Sequence, residues 1–149
     1  MQKCTLALGC FWKPEENFKN KPGIIQTEVG YAGGQKSEVT YEEVCTGTTG
    51  HAEVVRLTYD EKIIPFKKIL DLFFKMHDPT QKDMQYPDVG TQYRSEIFYE
   101  TDEQKKAAEE TLSEKNPEFG GKIQTNISKI KNYCKAEEYH QKYIEKKGK

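Results

Sequence analysis

Short strands alternate with helices along nearly the whole sequence, and this alternation limits the folds that the chain can adopt. Period-two patterns and β-branched residues predict five strands, at residues 5–8, 24–31, 52–59, 95–99 and 123–130. Capping residues and apolar spacing predict helices from just after Cys10 to about Phe18 and at residues 40–44, 65–76, 102–115 and 136–146. In 149 residues this order favours one α+β domain, residues 1–149, built as a two-layer α/β plait with a mixed sheet and packed helices. The pattern leaves the order of the strands open.

The charge balance argues against several classes of partner. Lys and Arg number 23 and Asp and Glu 24, so the net charge is -1 and no overall field attracts nucleic acid or an anionic membrane. The apolar runs are only a few residues long, which is too short to span a bilayer. The N-terminus leads into a predicted strand and lacks the apolar region of a signal peptide. We therefore expect a cytoplasmic protein with neither nucleic-acid nor membrane partners.

The cysteines indicate free thiols and no metal site. They stand at positions 4, 10, 45 and 134, with no C-x-x-C pair and no Cys/His cluster of zinc spacing. In a reducing cytosol such a set is more often free than joined in disulfides. The spacing therefore predicts neither a structural zinc nor a thioredoxin-like redox motif.

Cys10 occupies the position that most suggests chemistry. It lies between a predicted strand that ends at Gly9 and a helix whose first turn contains Pro14. Amide donors at a helix start favour the thiolate, the nucleophilic form of cysteine. The aromatic residues Phe11 and Trp12 follow directly and predict an apolar recess beside the sulfur. The alternative is an inert buried cysteine next to two core aromatics.

Three further stretches carry polar groups beyond what folding requires. Tyr31 ends a strand beside glycines, Glu53 enters a strand among apolar residues, and a turn-rich loop at residues 77–92 carries Asp88 just before Tyr93 and Arg94. If Glu53 points inward, burial raises its pKa and keeps it protonated near neutral pH. Each residue also has a structural alternative: the tyrosines as core residues, and Asp88 paired with Arg94 to hold the loop.

Six motifs, in order and at matching separations, closely resemble those of the A-type peptide methionine sulfoxide reductases, and the resemblance covers nearly the whole chain. The motifs are Gly9-Cys10-Phe11-Trp12, Gly30-Tyr31-Ala32-Gly33-Gly34, Thr49-Gly50-His51-Ala52-Glu53, His77-Asp78-Pro79-Thr80, Asp88-Val89-Gly90-Thr91-Gln92-Tyr93-Arg94-Ser95 and Ala136-Glu137-Glu138-Tyr139-His140-Gln141.

The resemblance implies a role for each matching residue. Cys10 is similar to the nucleophile that attacks the sulfoxide sulfur, and Glu53 to the acid that protonates the sulfoxide oxygen. Phe11 and Trp12 resemble the walls of the pocket for the S-methyl group. Tyr31 and Tyr93 resemble the residues that form hydrogen bonds with the sulfoxide oxygen. Asp88 matches an aspartate that the family places at the entrance of the active site.

The resemblance also implies the reaction and its partners. The family reduces the S epimer of free and protein-bound methionine sulfoxide without metal or organic cofactor. The product on the enzyme is a sulfenic acid, which another thiol must reduce. The family usually draws its electrons from thioredoxin, so thioredoxin or another thiol reductant is the expected partner of what we expect to be a monomer.

The chain departs from many relatives in having no cysteine-bearing tail, which leaves the resolving thiol open. A strand-like path of six residues keeps Cys4 too far from Cys10 to bond. Cys45 lies in a tightly capped segment that would have to unwind. Cys134 is expected in an irregular connection, where motion costs least, so we rank it first and an external thiol second.

Two other classes of function remain open on the sequence. A cysteine hydrolase would use His51 or His140 as the base, and it would need an imidazole bonded to Cys10 and an oxyanion hole. A non-catalytic module that binds methionine peptides would keep only the aromatic pocket. Consumption of reductant in step with sulfoxide separates a reductase from both.

Overall fold

The structure of the protein, a computed structural model, describes residues 2–147. Its strands are β1 (Gln2–Leu8), β2 (Ile24–Ala32), β3 (Ala52–Tyr59), β4 (Met84–Gln85), β5 (Asp88–Val89), β6 (Ser95–Tyr99), β7 (Asn126–Lys129) and β8 (Cys134–Lys135). Its α-helices are α1 (Trp12–Phe18), α2 (Tyr41–Cys45), α3 (Phe66–Met76), α4 (Asp102–Lys115) and α5 (Tyr143–Lys147). The five predicted strands and the first four predicted helices are confirmed, although β1 begins earlier and β7 is shorter than predicted.

Six strands form one mixed sheet, as predicted. Their order is β7-β6-β1-β3-β2-β8, so β1 and β3 run through the middle. Among the described strands of this sheet, β6 and β7 pair in parallel and the other neighbours are antiparallel. The register places Glu53 of β3 opposite Tyr31 of β2, and Tyr31 in turn opposite Cys134 of β8. Residues that pair directly share a face of the sheet, so these three side chains form one row.

The helices pack on one face of this sheet and give the two layers of the predicted plait. The larger core cluster joins sheet residues such as Leu6 and Leu57 to Phe18 of α1, Phe73 of α3 and Ala108 of α4. Neighbouring residues of a strand point to opposite faces. The opposite face accordingly carries a smaller cluster, to which no α-helix contributes: Ala7, Ala32, Ala52, Val54 and Phe98.

The short helix α2 owes its start to the predicted capping box. The Thr40 hydroxyl accepts a hydrogen bond from the Glu43 backbone N–H at 3.2 Å, and the Glu43 carboxylate accepts one from the Thr40 N–H at 3.1 Å. This reciprocal pair satisfies two amide donors that a helix start otherwise leaves open. Within α2, Tyr41 and Cys45 are four residues apart and therefore share a face.

The predicted terminal helix at residues 136–146 is wrong over most of its length. The chain instead adds β8 to the edge of β2, passes through a 3-10 turn (Glu138–His140) and becomes α-helical only in α5. The side chain of Gln141 accepts a hydrogen bond from the Val29 N–H at 2.9 Å and donates one to the Val29 C=O at 2.9 Å. The Ala136 N–H also bonds to the Val29 C=O. These contacts hold the segment extended along β2, and they outweigh its helical propensity.

The long loop predicted at residues 77–92 is ordered by its own hydrogen bonds. It contains the small hairpin of β4 and β5, joined through a cis Tyr86–Pro87 bond, and ends in a 3-10 turn (Thr91–Tyr93). The Gln85 side chain bonds to both the N–H and the C=O of Asp78. Between residues 2 and 147, no helix has both the length and the apolar character required to cross a membrane.

Candidate active site

Cys10 lies in the turn between β1 and α1, as the sequence predicts. Gly9 makes this turn possible because its φ of +95° is in the region that favours glycine. A Cβ at Gly9 would also lie 2.8 Å from the Gln85 side chain, so the loop that carries β4 closes directly over the turn. The Cys10 side chain remains half-buried, and the sulfur accepts a hydrogen bond from the Trp12 backbone N–H.

Burial has a larger effect on the Cys10 thiol than the helix start has. It raises the pKa of Cys10 to about 12, although the hydrogen bond from the Trp12 amide lowers the pKa. The helix-start amide therefore favours the thiolate in the expected direction, but burial of the side chain outweighs it. With a pKa of about 12, the Cys10 thiol is protonated at neutral pH.

Glu53 is the buried acid that the sequence predicts. It is only 1% exposed, and its Oε1 accepts a hydrogen bond from the Phe11 N–H at 3.3 Å, which ties the carboxyl to the residue after Cys10. Burial raises the pKa of Glu53 to about 8, the Phe11 amide lowers it, and the charge of Asp88 raises it. Its Oε2 has no hydrogen-bond partner among the described residues. A protonated Oε2 would therefore be a ready donor beside the sulfur.

Tyr31 lies at the site, but its hydroxyl has another partner. The ring is fully buried 5.7 Å from that of Phe11, and the hydroxyl donates a 2.7 Å hydrogen bond to Oε1 of Glu137. Oε2 of Glu137 accepts a hydrogen bond from the Tyr41 backbone N–H at 2.9 Å. Tyr31 therefore positions the start of α2 through Glu137, whereas the resemblance implies that its hydroxyl contacts the substrate.

Tyr41 is the tyrosine that the sequence reasoning missed. Its hydroxyl donates a hydrogen bond to the Cys45 thiol, and burial together with the charge of Glu53 raises its pKa. Its ring packs 4.4 Å from the His140 ring. The sequence signal was present, because the capping box places Tyr41 at the first position of α2, but the pattern did not show that this helix faces Cys10.

Tyr93 and Asp88 both lie within electrostatic range of Cys10 and Glu53. Burial raises the pKa of Tyr93 to about 12, with smaller contributions from nearby charges, which are those of Glu53, Cys45, Asp88 and Cys10. The charge of Asp88 also raises the pKa of Cys10 and of Glu53.

The suggested pairing of Asp88 with Arg94 is replaced by another ion pair. Arg94 Nε bonds to Glu96 Oε1 at 2.7 Å. Asp88 is thus placed by β5 of the hairpin, beside the reactive groups.

Aromatic rings form the predicted apolar wall. Phe11 is buried, and the ring of Trp12 stacks on that of Tyr143 with centroids 3.8 Å apart. Trp12 Nε1 donates a 3.0 Å hydrogen bond to Nδ1 of His140, whose ring lies 5.2 Å from Phe11. A cleft of about 750 Å³ opens here, and its lining residues are Trp12, Tyr41, Tyr139, His140, Tyr143 and Lys146.

Neither histidine is placed to act as the base of a cysteine hydrolase. His140 Nδ1 accepts the hydrogen bond from Trp12, and His51 Nε2 bonds to the Asn132 carbonyl at 3.2 Å. His51 also packs against Gly34, where a Cβ would lie 2.1 Å from its Nδ1. Neither of the two histidines that a cysteine hydrolase could use as its base is therefore bonded to Cys10.

All four cysteines are free, but they occupy different environments. Cys4 is fully buried in the core and Cys45 is exposed at the end of α2. Cys134 lies in β8, where its thiol donates to the carbonyl oxygens of Val39 and Lys135 at 3.6 Å each. The expectation of an irregular connection at Cys134 is wrong, because β8 pairs with β2 there. Within residues 2–147, no group of three His, Cys, Asp or Glu side chains is arranged to hold a metal ion.

Known proteins share both the sequence and the fold of this chain. The family model for peptide methionine sulfoxide reductase matches residues 2–149. The peptide methionine sulfoxide reductase MsrA of Pelagibacter ubique (strain HTCC1062) is 55% identical over 147 residues, which cover 99% of this chain and 100% of the relative.

Solved structures agree with the sequence matches. Reduced Mxr1 from Saccharomyces cerevisiae is similar with a TM-score of 0.94 at 40% identity, over 99% of this chain and 86% of that one. The structure of Mxr1 in complex with Trx2 is similar with a TM-score of 0.67 at 29% identity, over 95% of this chain and 84% of that one. The chain therefore belongs to the A-type peptide methionine sulfoxide reductases, as an oxidoreductase that reduces methionine sulfoxide.

Proposed function

We propose that the protein reduces free and protein-bound methionine-(S)-sulfoxide with Cys10 as the nucleophile and Glu53 as the proton donor. The observation that carries this proposal is the coupling of the two groups through Phe11, whose N–H bonds to Glu53 while its chain neighbour is Cys10. A sulfoxide is a poor electrophile because its oxygen leaves poorly, and protonation of that oxygen removes the obstacle. The raised pKa of Glu53, about 8, keeps the proton available at neutral pH.

The chemical step balances with these residues alone. Glu53 gives its proton to the sulfoxide oxygen as the Cys10 sulfur attacks the substrate sulfur, and the Cys10 thiol proton passes to the Glu53 carboxylate. The bond between oxygen and the substrate sulfur then breaks, the hydroxyl is transferred to Cys10, and the bond between the two sulfurs breaks. Methionine leaves, and Cys10 remains as a sulfenic acid, the first step of thiol oxidation. The substrate is reduced by two electrons, and Cys10 is oxidised by two.

The remaining residues bind and orient the substrate in this proposal. Phe11 and Trp12 hold the S-methyl group and keep water from it. Tyr93 and Tyr41 donate hydrogen bonds to the oxygen as its S–O bond weakens. Asp88 stands at the entrance. Tyr31 contributes indirectly, because its bond to Glu137 fixes the start of α2.

We also propose thioredoxin, or another thiol reductant, as the electron donor of a protein that works as a monomer in the cytoplasm. The support for thioredoxin is the yeast relative Mxr1, which has been crystallised with Trx2. The aromatic cleft at Trp12, two residues after Cys10, has a volume of about 750 Å³ and can admit a side chain of a protein substrate.

Epimer-resolved turnover tests the proposed reaction. We expect the protein to convert methionine-(S)-sulfoxide to methionine and to consume dithiothreitol in equal amount, while methionine-(R)-sulfoxide remains unchanged. Chromatography of both epimers and titration of the residual thiol give the two readings. Equal loss of both epimers would contradict the stereochemistry, and binding without loss of thiol would favour a non-catalytic module.

A matched pair of tyrosine variants tests which hydroxyl acts on the substrate. We expect Tyr41→Phe to lower the single-turnover rate about a hundredfold, because it removes a donor to the reacting oxygen. Tyr31→Phe should leave that rate nearly unchanged and lower the free energy of unfolding by about 1–3 kcal/mol, because Glu137 loses a partly buried hydrogen bond. Rapid-quench assays and thermal unfolding of both variants give the comparison. If Tyr31→Phe slows the single turnover and Tyr41→Phe does not, Tyr31 is the residue whose hydroxyl contacts the substrate.

A further inference from the structure

The reductive half-reaction needs a second thiol, and α2 presents one toward the site. Tyr41 and Cys45 share a face of α2, and the Tyr41 hydroxyl bonds to the Cys45 thiol. The Tyr41 ring in turn packs on His140, which packs on Phe11. A chain of direct contacts therefore runs from Cys45 to the residue next to Cys10.

A second set of contacts connects Cys45 with the turn that holds Cys10, and it passes through the loop that ends at Tyr93. Gln92 Nε2 donates a 3.4 Å hydrogen bond to the Cys45 carbonyl. The next residue, Tyr93, has its carbonyl oxygen 4.0 Å from the position that a Cβ on Gly9 would take. The 3-10 turn (Thr91–Tyr93) thus lies between the end of α2 and the turn that holds Cys10. Charge on either Cys45 or Cys10 raises the pKa of Tyr93, so both sulfurs are close to its hydroxyl.

From these contacts we propose that Cys45 is the resolving thiol, which condenses with the Cys10 sulfenic acid to form a Cys10–Cys45 disulfide. The proposal rests on the proposed function, which supplies the sulfenic acid. The Cys45 sulfur bonds to the Cys10 sulfur, the S–O bond on Cys10 breaks, and the hydroxyl leaves as water with the Cys45 proton. A dithiol reductant then gives two electrons to the disulfide and becomes a disulfide itself.

Cys134, which the sequence ranks first, is less well placed. It shares its row of the sheet with Tyr31 and Glu53, and Tyr31 lies between the other two. Two strand spacings of about 4.8 Å separate its backbone from that of Glu53, next to which Cys10 lies. The Cys134 thiol donates to the Val39 carbonyl, and the Tyr31–Glu137 hydrogen bond stands on the path to Cys10.

The end of α2 is suited to the motion that the disulfide requires. Bonded cysteines need Cα atoms about 5.5–6 Å apart. A helix of only five residues has little stability of its own, and its last turn is held by the Thr46 N–H to Glu43 and the Gly47 N–H to Val44. Residues 45–48 are exposed, so this turn can open while the capping box holds the start of α2.

Exposure also assigns the sulfur that the reductant attacks. Cys45 is exposed and Cys10 is half-buried, so an incoming thiolate reaches the Cys45 sulfur more easily. Attack there releases the Cys10 sulfur, which takes up a proton and is again the thiol that meets the next substrate.

Thiol counting in three proteins tests the proposal. The wild type, Cys45→Ser and Cys134→Ser are each treated anaerobically with one equivalent of methionine-(S)-sulfoxide and no reductant. We expect the wild type and Cys134→Ser to lose two free thiols and to yield a Cys10–Cys45 cross-linked peptide. Cys45→Ser should lose one thiol and be labelled by dimedone at Cys10. A disulfide that survives in Cys45→Ser, or vanishes in Cys134→Ser, would overturn the assignment.

Product formation separates this inference from the reaction itself. Each protein should release one equivalent of methionine in the single turnover, and failure in all three would refute the proposed function instead. In steady state with thioredoxin, we expect Cys45→Ser to turn over about tenfold more slowly than wild type, and with a small monothiol at nearly the wild-type rate. Equal turnover with thioredoxin would overturn the role of Cys45.

Discussion

Cys10→Ser abolishes the reduction of methionine-(S)-sulfoxide and leaves the fold intact: this is the largest effect that we expect. A hydroxyl is a far weaker nucleophile toward sulfur than a thiol and cannot form the sulfenic acid. The side chain is half-buried in a turn, and the change keeps its shape, so packing changes little. Methionine release in a single turnover measures the loss.

Folding and binding provide the controls for Cys10→Ser. Far-UV circular dichroism and the thermal transition should match those of wild type, and quenching of Trp12 by sulfoxide should persist because the apolar wall remains. If the correctly folded variant is active well above the uncatalysed background, another cysteine is the nucleophile.

Glu53→Gln should slow the chemical step by about 10²–10⁴-fold, the usual contribution of general acid catalysis. Glutamine keeps the shape of the side chain and still accepts the Phe11 hydrogen bond, but it has no acidic proton to give. Rapid-quench measurement at saturating sulfoxide isolates this step from the recycling of Cys10. Rates equal to those of wild type would leave Glu53 with a structural role only.

The pH profile distinguishes lost acid catalysis from lost structure. The proton donor has a pKa of about 8, so the wild-type single-turnover rate should be constant below that value and fall about tenfold per pH unit above it. Glu53→Gln should show no such decline near pH 8. Glu53→Asp, which restores an acidic proton on a shorter side chain, should recover part of the rate and the alkaline decline with it.

Local sequence patterns predicted those elements whose conformation is decided by residues close to them in the chain. The Thr40 and Glu43 capping box is a short-range feature, and the structure has both of its hydrogen bonds. Burial of Glu53 could be inferred from its apolar neighbours on a period-two strand. The predicted helix at residues 136–146 is wrong because contacts of Gln141 and Ala136 with Val29 decide the conformation there. Val29 lies more than a hundred residues earlier in the chain.

The site was predicted in part for the same reason. The turn position of Cys10 and the burial of Glu53 follow from local patterns, and the Trp12 amide bond is implied by the helix start. Tyr31 and Tyr41 could not be ranked, because only the fold shows that Glu137 takes the Tyr31 hydroxyl. The raised pKa of Cys10 was missed for a further reason: it depends on how deeply the loop around Gln85 covers the turn.

The Gln141 amide that bonds to both the N–H and the C=O of Val29 bears on how the enzyme meets its substrates. An extended chain readily joins a sheet through any strand with open backbone groups. β8 pairs with β2 only at Gly30 and Tyr31, so the neighbouring position would otherwise offer such a template. The Gln141 side chain imitates a peptide group and closes that position. A chain segment that approaches this edge, including a segment of an unfolded protein, therefore finds no open pair of backbone groups at Val29.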